Sequence, residues 1–248
     1  MIHIKIFVEK DYDALSQRAA SIIAAQIQKK PDSVLGLATG STPLGTYEKL
    51  VAQHKSGRLD FGQISAFNLD EYYPIKKGND QSYFYFMHEN LFRHVNVNPA
   101  RLSIPSGEAA DSNAECMAYE KKIANAGGID LQLLGLGLNG HIGFNEPCDK
   151  FMEITHLVDL DESTIEANAR FFESADEVPR KALTMGIGTI MQSREVLLLI
   201  SGAKKAEIAK QVLFGDITPQ VPGSALRFHH NVTVVLDEEA GRLVAPLT

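Results

Sequence analysis

Apolar and polar positions along the chain fall into two alternating periods. Short runs of nearly continuous or strictly alternating apolar residues occur at 2–8, 33–38, 64–69, 131–138, 183–187, 196–201 and 232–236. Such runs predict strands, and those with little alternation predict strands covered on both faces. Between them, apolar residues three and four apart predict helices over 11–30, 42–55, 81–93, 109–126 and 203–214. In the first of these, Leu15, Ala19, Ile22, Ile23 and Ile27 share one face. Strands and helices taking turns predict a doubly wound, mostly parallel sheet with helices on both faces. No repeat, low-complexity segment or linker interrupts the pattern, so residues 1–248 are read as one domain. The least regular stretch is 151–178, which is acidic. It reads equally as a lid over a site and as an ordinary surface excursion.

The most informative run is 131–138. Leu131, Leu133, Leu134, Leu136 and Leu138 predict a buried strand, which then breaks into turns at Gly135, Gly137, Gly140 and Gly143. Those turns carry Asn139, His141, Asn145 and Glu146. An imidazole and a carboxylate thus lie just past the carboxyl end of a core strand, where open α/β sheets build their sites.

Composition narrows the partners. The formal net charge is -7, which argues against a nucleic-acid partner. A phosphorylated small molecule remains open, because a local cluster of donors can override the global field. Hydrophobic residues make up 44% of the chain, but no run approaches the ~20 residues of a membrane span. The first ten residues read as an alternating strand and not as a signal peptide. Cys116 and Cys148 lie in unrelated contexts with no metal-ligand spacing, which fits a reduced cytoplasmic setting. His229-His230 lacks a third ligand at metal spacing, so no metal site is expected.

Two other predicted strand ends carry chemistry. In LGLATGSTPLGTY (35–47), a buried strand runs into Thr39, Gly40, Ser41 and Thr42, with Thr42 placed as N-cap and Pro43 as first helical residue. Backbone N–H groups and hydroxyls at a helix N-terminus suit a phosphate, although the same pattern also serves a well-capped turn. The lysine of the GxxxxGK[ST] loop is missing. In FNLDEYY (67–73), Asp70 and Glu71 follow the next strand. Neighbours on an extended segment point opposite ways, so one at most faces the crevice and the other is structural or exposed. A carboxylate there could abstract a carbon-bound proton beside a carbonyl, or merely initiate a turn. Gly135-Leu-Gly137-Leu-Asn-Gly140 matches GxGxxG, but the dinucleotide fingerprint needs a helix opening directly behind it, and Pro147 and Gly143 interrupt that space. His141 with Glu146 reads better as an acid/base pair. Arg170 and Lys205 are cations on later segments, Lys205 just after a buried strand and Gly202.

Together these segments resemble the glucosamine-6-phosphate deaminase (isomerising) family, in order and over essentially the whole chain. ANARFF (167–172), ALTMGIGTI (182–190) and SGAKKA (201–206) complete the set. The resemblance implies a Rossmann-like fold of sugar-phosphate isomerase type and a single catalytic domain without a cofactor. The implied reaction turns glucosamine 6-phosphate and water into fructose 6-phosphate and ammonia, in amino-sugar breakdown. By position, it implies that Thr39, Gly40, Ser41 and Thr42 cradle the sugar phosphate with Arg170 and Lys205. Asp70 would be the enolisation base, His141 the acid/base of ring opening, and Glu146 and Asn139 its supports. Some members carry aspartate where this chain has Asn139. Asparagine can still hold His141 by a hydrogen bond, but brings no charge to favour imidazolium. Other members are hexamers activated by N-acetylglucosamine 6-phosphate through basic residues after the NEP segment. Here the matching positions are His156, Val158 and Asp159, so no such activation is expected, and monomer or homo-oligomer stays open.

Two rivals remain. 6-Phosphogluconolactonase resembles the phosphate loop and the GH turn but needs no proton shuttle between carbons, which Asp70 and Glu146 favour. A non-catalytic sugar-phosphate sensor is of another class. Such domains are joined to a DNA-binding helix-turn-helix, for which the first predicted strand leaves no room.

Overall fold

The computed structural model describes residues 4–168 and 177–245. In chain order the elements are β1 (Ile4–Glu9), α1 (Tyr12–Lys29), β2 (Val34–Leu37), α2 (Leu44–Lys55), β3 (Ser65–Asn68), β4 (Asp70–Tyr73), α3 (Tyr83–Asn90), β5 (Leu102–Ser103), α4 (Ser112–Asn125), β6 (Leu131–Gly135), β7 (His156–Asp159), α5 (Glu162–Asn168), β8 (Lys181–Thr184), α6 (Ile187–Met191), β9 (Glu195–Ile200), α7 (Ala206–Phe214), β10 (Val232–Asp237) and α8 (Glu238–Gly241).

Seven strands form one sheet in the order β1-β10-β9-β6-β2-β3-β5, and every pair in it is parallel. The most apolar runs take the central places. Leu131 to Leu134 and Val196 to Ile200 are buried throughout, as strands covered on both faces require. Helix α1 starts where Asp11 accepts a hydrogen bond from the Ala14 N–H (2.8 Å), and it buries Leu15, Ala19, Ile23 and Ile27. From β2 the chain winds outwards through β3 and β5, then returns to β6 on the other side of β2 and continues to β9 and β10. The order therefore reverses between β2 and β6, and a crevice opens beyond their carboxyl ends.

The doubly wound parallel sheet agrees with the pattern of apolar runs, but a second sheet does not follow from it. Strands β4, β8 and β7 form a separate antiparallel sheet. Residues 183–187 were expected to be one more parallel strand. Instead Lys181–Thr184 pairs with β4 and β7, and Ile187 opens α6. The reason lies at Leu69: its carbonyl accepts from the Met185 N–H (2.8 Å), so this segment crosses the end of β3 and never joins its ladder.

Two further expectations change. Thr42 does not cap α2, which begins at Leu44 with Pro43 at the cap position and no side-chain cap bond. The hydroxyl of Tyr12 accepts from the Gly45 N–H instead (2.9 Å). The helix expected over 81–93 ends at Asn90 and continues only as a 3-10 turn, Phe92–His94. The stretch 151–178 holds β7 and α5, and its Leu160, Ile165 and Val178 pack on Tyr72 and Phe144 in a small core of their own. Among the described residues, no helix is long and apolar enough to cross a membrane.

Candidate active site

Four chain segments reach the crevice. The first is the turn after β2. Thr39, Gly40, Ser41 and Thr42 are accessible there, and the Tyr12 hydroxyl fastens the turn from below by donating to the carbonyls of Ser41 and Thr42 (both 3.0 Å). Ser41 and Thr42 share a recess of about 420 Å³ with Ser201, which follows β9. Tyr12 of α1 and Leu44, Gly45 and Glu48 of α2 complete its walls, and neither Asp70 nor His141 lines it.

The second segment follows β9. Asp237, at the end of neighbouring β10, accepts from the Ser201 hydroxyl (2.5 Å) and the Gly202 N–H (3.0 Å), and so sets the turn that leads to Lys205. The Lys205 ammonium donates to the carbonyl of Leu136, the residue just past β6. Lys205 therefore sits over the same strand end as the glycine-rich turns. Arg170 lies outside the described residues.

The third segment is the passage from β3 to β4. The backbone leaves one sheet at Leu69 and enters the other at Asp70, which pairs with Thr184. Alternation places the two acids apart, as expected. Asp70 is buried, and its Oδ2 lies close to the open face of Gly143. Glu71 is also buried and turns the other way, accepting from the backbone N–H groups of Tyr83 (2.8 Å), Phe84 (2.9 Å) and Tyr72 (3.0 Å). It thus caps the first turn of α3. Burial pushes the Glu71 carboxyl up to about 7, against the lowering effect of those three donors. Burial, and then the charge of Glu71, pushes Asp70 well above the usual carboxylate range.

The fourth segment is the turn after β6. No helix opens behind the GxGxxG match, because the chain stays in turns through Glu146. Gly137 makes room for the imidazole: a Cβ there would fall 2.4 Å from His141 Nε2. Gly143 (φ 57°) leaves room for Thr184 and Asp70, and the Thr184 hydroxyl accepts from the Phe144 N–H (3.0 Å). His141 Nδ1 faces Glu146 Oε2 at 3.2 Å. Asn139 holds His141 by a hydrogen bond, as expected, but at the backbone and not at the ring. Its Oδ1 accepts from the backbone N–H of His141 (3.2 Å), and its Nδ2 donates to Glu146 Oε2 (2.7 Å). Glu146 Oε1 accepts from the Thr164 hydroxyl of α5 (2.6 Å). Burial would raise the Glu146 carboxyl, but the bonds from His141, Thr164 and Asn139 outweigh it and hold Glu146 below the ordinary carboxylate value.

With Nδ1 turned to Glu146, Nε2 is the ring nitrogen left to exchange a proton with a bound molecule. Phe144 joins this turn to the β4 side through Tyr72 (5.6 Å between ring centroids) and Tyr83 (5.9 Å, stacked). Tyr83 in turn stands beside Thr39 of the first turn. The crevice therefore holds two acid/base stations beside one anion-suited turn. Among the described residues, no group of three or more His, Cys, Asp or Glu could hold a metal ion.

A family model, glucosamine-6-phosphate isomerases/6-phosphogluconolactonase, matches residues 9–235. The chain belongs to this family. A glucosamine-6-phosphate deaminase of Clostridioides difficile is 54% identical over 98% of this chain and 97% of its own length. One of Halothermothrix orenii is 51% identical over 97% of this chain and all of its own. A solved structure of a monomeric glucosamine-6-phosphate deaminase superposes with a TM-score of 0.95 at 49% identity, over 97% of this chain and 100% of that one. A 6-phosphogluconolactonase from Thermotoga maritima, at 23% identity and a TM-score of 0.74 over 95% of this chain and 100% of its own, shares the fold.

Thr164, Tyr12, Tyr83, Thr184 and Asp237 escaped the sequence reading. Asp237 alone carried a signal, as a capping residue at a strand end. The others act through contacts with residues far along the chain.

Proposed function

We propose that this chain is a glucosamine-6-phosphate deaminase. It takes glucosamine 6-phosphate and water to fructose 6-phosphate and ammonia, a hydrolase step of amino-sugar breakdown in the cytoplasm. The observation that carries the proposal is the pair of separate stations at one crevice: the His141–Glu146 pair at 3.2 Å, and Asp70 buried beside Gly143 of the same loop. A lactone hydrolase has use for one station. An aldose-to-ketose conversion needs a second one to carry a proton between carbons.

The sugar phosphate rests on Thr39, Gly40, Ser41 and Thr42, with Lys205 as a cation on its flank. His141 Nε2 takes the proton of the anomeric hydroxyl and returns one to the ring oxygen, which opens the ring. Glu146 keeps the imidazole turned, and Asn139 holds Glu146. The open aldehyde makes the C2 proton acidic. Asp70 then removes that proton and delivers it to C1. The enolamine becomes a C2 imine, water adds, and ammonia leaves. A raised carboxyl suits this step, since a stronger base takes a carbon-bound proton more readily. We read both sheets as one catalytic unit, because Asp70 stands where one passes into the other and α5 of the 151–178 stretch covers Glu146.

Activation by N-acetylglucosamine 6-phosphate is not expected. Burial pushes His156 down and so favours its neutral form, Val158 packs against the small core, and Asp159 pairs with Lys181 (3.4 Å). These positions offer a phosphate little positive charge. The test is a coupled assay for fructose 6-phosphate and ammonia release, run beside one for 6-phosphogluconolactone hydrolysis. Deaminase turnover without lactone hydrolysis is expected, and the reverse result would overturn the proposal.

A further inference from the structure

We infer that Thr164 is a positioning residue for ring opening: it fixes the plane of the Glu146 carboxylate, and through it the His141 ring. The inference rests on the roles proposed above for His141 and Glu146. Both oxygens of Glu146 are engaged, but unequally. Oε2 takes the two groups of its own loop, Asn139 Nδ2 at 2.7 Å and His141 Nδ1 at 3.2 Å. Oε1 takes the hydroxyl of Thr164 at 2.6 Å, from 18 residues further along the chain. A hydroxyl donating to a carboxylate at this distance makes a strong, charge-assisted bond. Glu146 and Thr164 are both buried, so an oxygen that lost this donor would be left without a substitute of equal quality.

The surroundings of Thr164 make the bond directional. Its backbone N–H is tied to the Asp161 carbonyl (3.0 Å), so the first turn of α5 sets where the hydroxyl points. The next residue, Ile165, is buried in the small core with Phe144 and Tyr72, and Phe144 lies two residues before Glu146. Helix α5 is thus keyed to the catalytic loop twice, by an apolar contact on Phe144 and a polar one on Glu146. The apolar contact alone would hold the helix down. The hydroxyl adds an acceptor geometry that leaves Oε2, and only Oε2, facing the imidazole. It also helps keep Glu146 ionised, as a partner for imidazolium requires.

The experiment compares Thr164→Val, which keeps the volume, with Thr164→Ser, which keeps the hydroxyl. For Thr164→Val, kcat/KM on glucosamine 6-phosphate should fall by roughly tenfold or more, the size expected for losing a hydrogen bond to a buried charge. Affinity for 2-amino-2-deoxyglucitol 6-phosphate, the reduced open-chain form, should stay within about twofold, because it needs no ring opening. Thr164→Ser should return close to wild type. Turnover unchanged in Thr164→Val, a parallel loss of open-chain binding, or a serine variant as slow as the valine one would each overturn the inference. Should Thr164→Val fail to fold, Thr164→Ala is read by the same criteria. Wild-type inactivity on glucosamine 6-phosphate would overturn the proposed reaction itself, whereas an active wild type with an unaffected valine variant would overturn the role of Thr164 alone.

Discussion

Glu146 and Asp70 are both buried carboxylates at one crevice, yet their surroundings drive them in opposite directions. Glu146 receives three donors, from Asn139, His141 and Thr164, and is held below its ordinary value. Asp70 has Glu71 as its sequence neighbour and is pushed well above that range. Burial penalises the charged form of both, so the difference comes from what each carboxylate meets once it is buried. A carboxylate with saturated oxygens is a fixed charge, fit to orient an imidazole. One kept short of compensation is a base, fit to take a proton from carbon. In the proposed reaction, two acids of similar burial thereby serve as a support and a reagent.

Exchanging each acid for its amide should expose this asymmetry, and here the largest effect is expected. Asp70→Asn should lower kcat by about 10²- to 10⁴-fold, as loss of a general base does, with fructose 6-phosphate binding kept. Its stability should be unchanged or higher at pH 8, because an unfavourable buried charge is gone. Glu146→Gln should also slow turnover, but it should cost stability on the order of 1–3 kcal/mol, since a saturated acceptor is weakened. Steady-state kinetics and urea unfolding of both variants decide the matter. Equal stability changes in the two would show that their surroundings do not differ in kind.

Glu71 allows the Asp70 side of the comparison to be tuned without touching the substrate. Asp70 must be ionised to act, so activity should fall on acidification at a pH above the usual carboxylate range. Glu71→Gln removes the neighbouring charge, so this acid limb should move to lower pH while the alkaline limb stays. Folding stability provides a second readout. The Glu71 carboxyl is raised to about 7 in the fold. An acid raised in the fold contributes stability that is complete below its unfolded value and is lost as pH rises through the folded one. Wild-type stability should therefore decline between about pH 4.5 and 7, by an amount on the order of 3 kcal/mol from Glu71. The decline should shrink in Glu71→Gln. An acid limb that stays in place would remove Glu71 from the account of Asp70.

The ease of reading these features from sequence differed for physical reasons. Parallel strands such as Glu195–Ile200 were legible because they are covered on both faces and hence apolar at nearly every position. The turns carrying Thr39, Asp70 and His141 were legible because each interrupts such a run. The antiparallel sheet was not. Residues 70–73, Asp-Glu-Tyr-Tyr, have the composition of a turn, and their partner strand lies more than a hundred residues on, so pairing alone makes them a strand. Alternation indicated that Glu71 and Asp70 would part, but nothing local indicated that Glu71 would cap a helix 12 residues later. Thr164 sits in a polar, acidic stretch without period. Its importance comes wholly from what it meets across 18 residues. Asn139 was legible as a residue that holds His141 by a hydrogen bond, whereas its second bond, to the Glu146 carboxylate seven residues on, depends on how the turns between them fold.

That placement gives Asn139→Asp a small and directional effect. The Asn139 amide both accepts from the His141 backbone and donates to Glu146, and aspartate can do only the first. The exchange would set a second carboxylate at hydrogen-bond distance from Oε2, where 2.7 Å now separates donor and acceptor. Glu146 loses a donor and meets a repelling neighbour, so kcat/KM should fall. The loss should stay below about tenfold, because Glu146 keeps the Thr164 hydroxyl and the imidazole as partners. Measured by steady-state kinetics, an unchanged kcat/KM would mean that the amide donor to Glu146 is dispensable. A loss as large as that of Glu146→Gln would mean that the donor lost to Glu146 matters more than the carboxylate kept. In that case the fixed-charge half of the comparison would depend on its hydrogen bonds more than on its net charge.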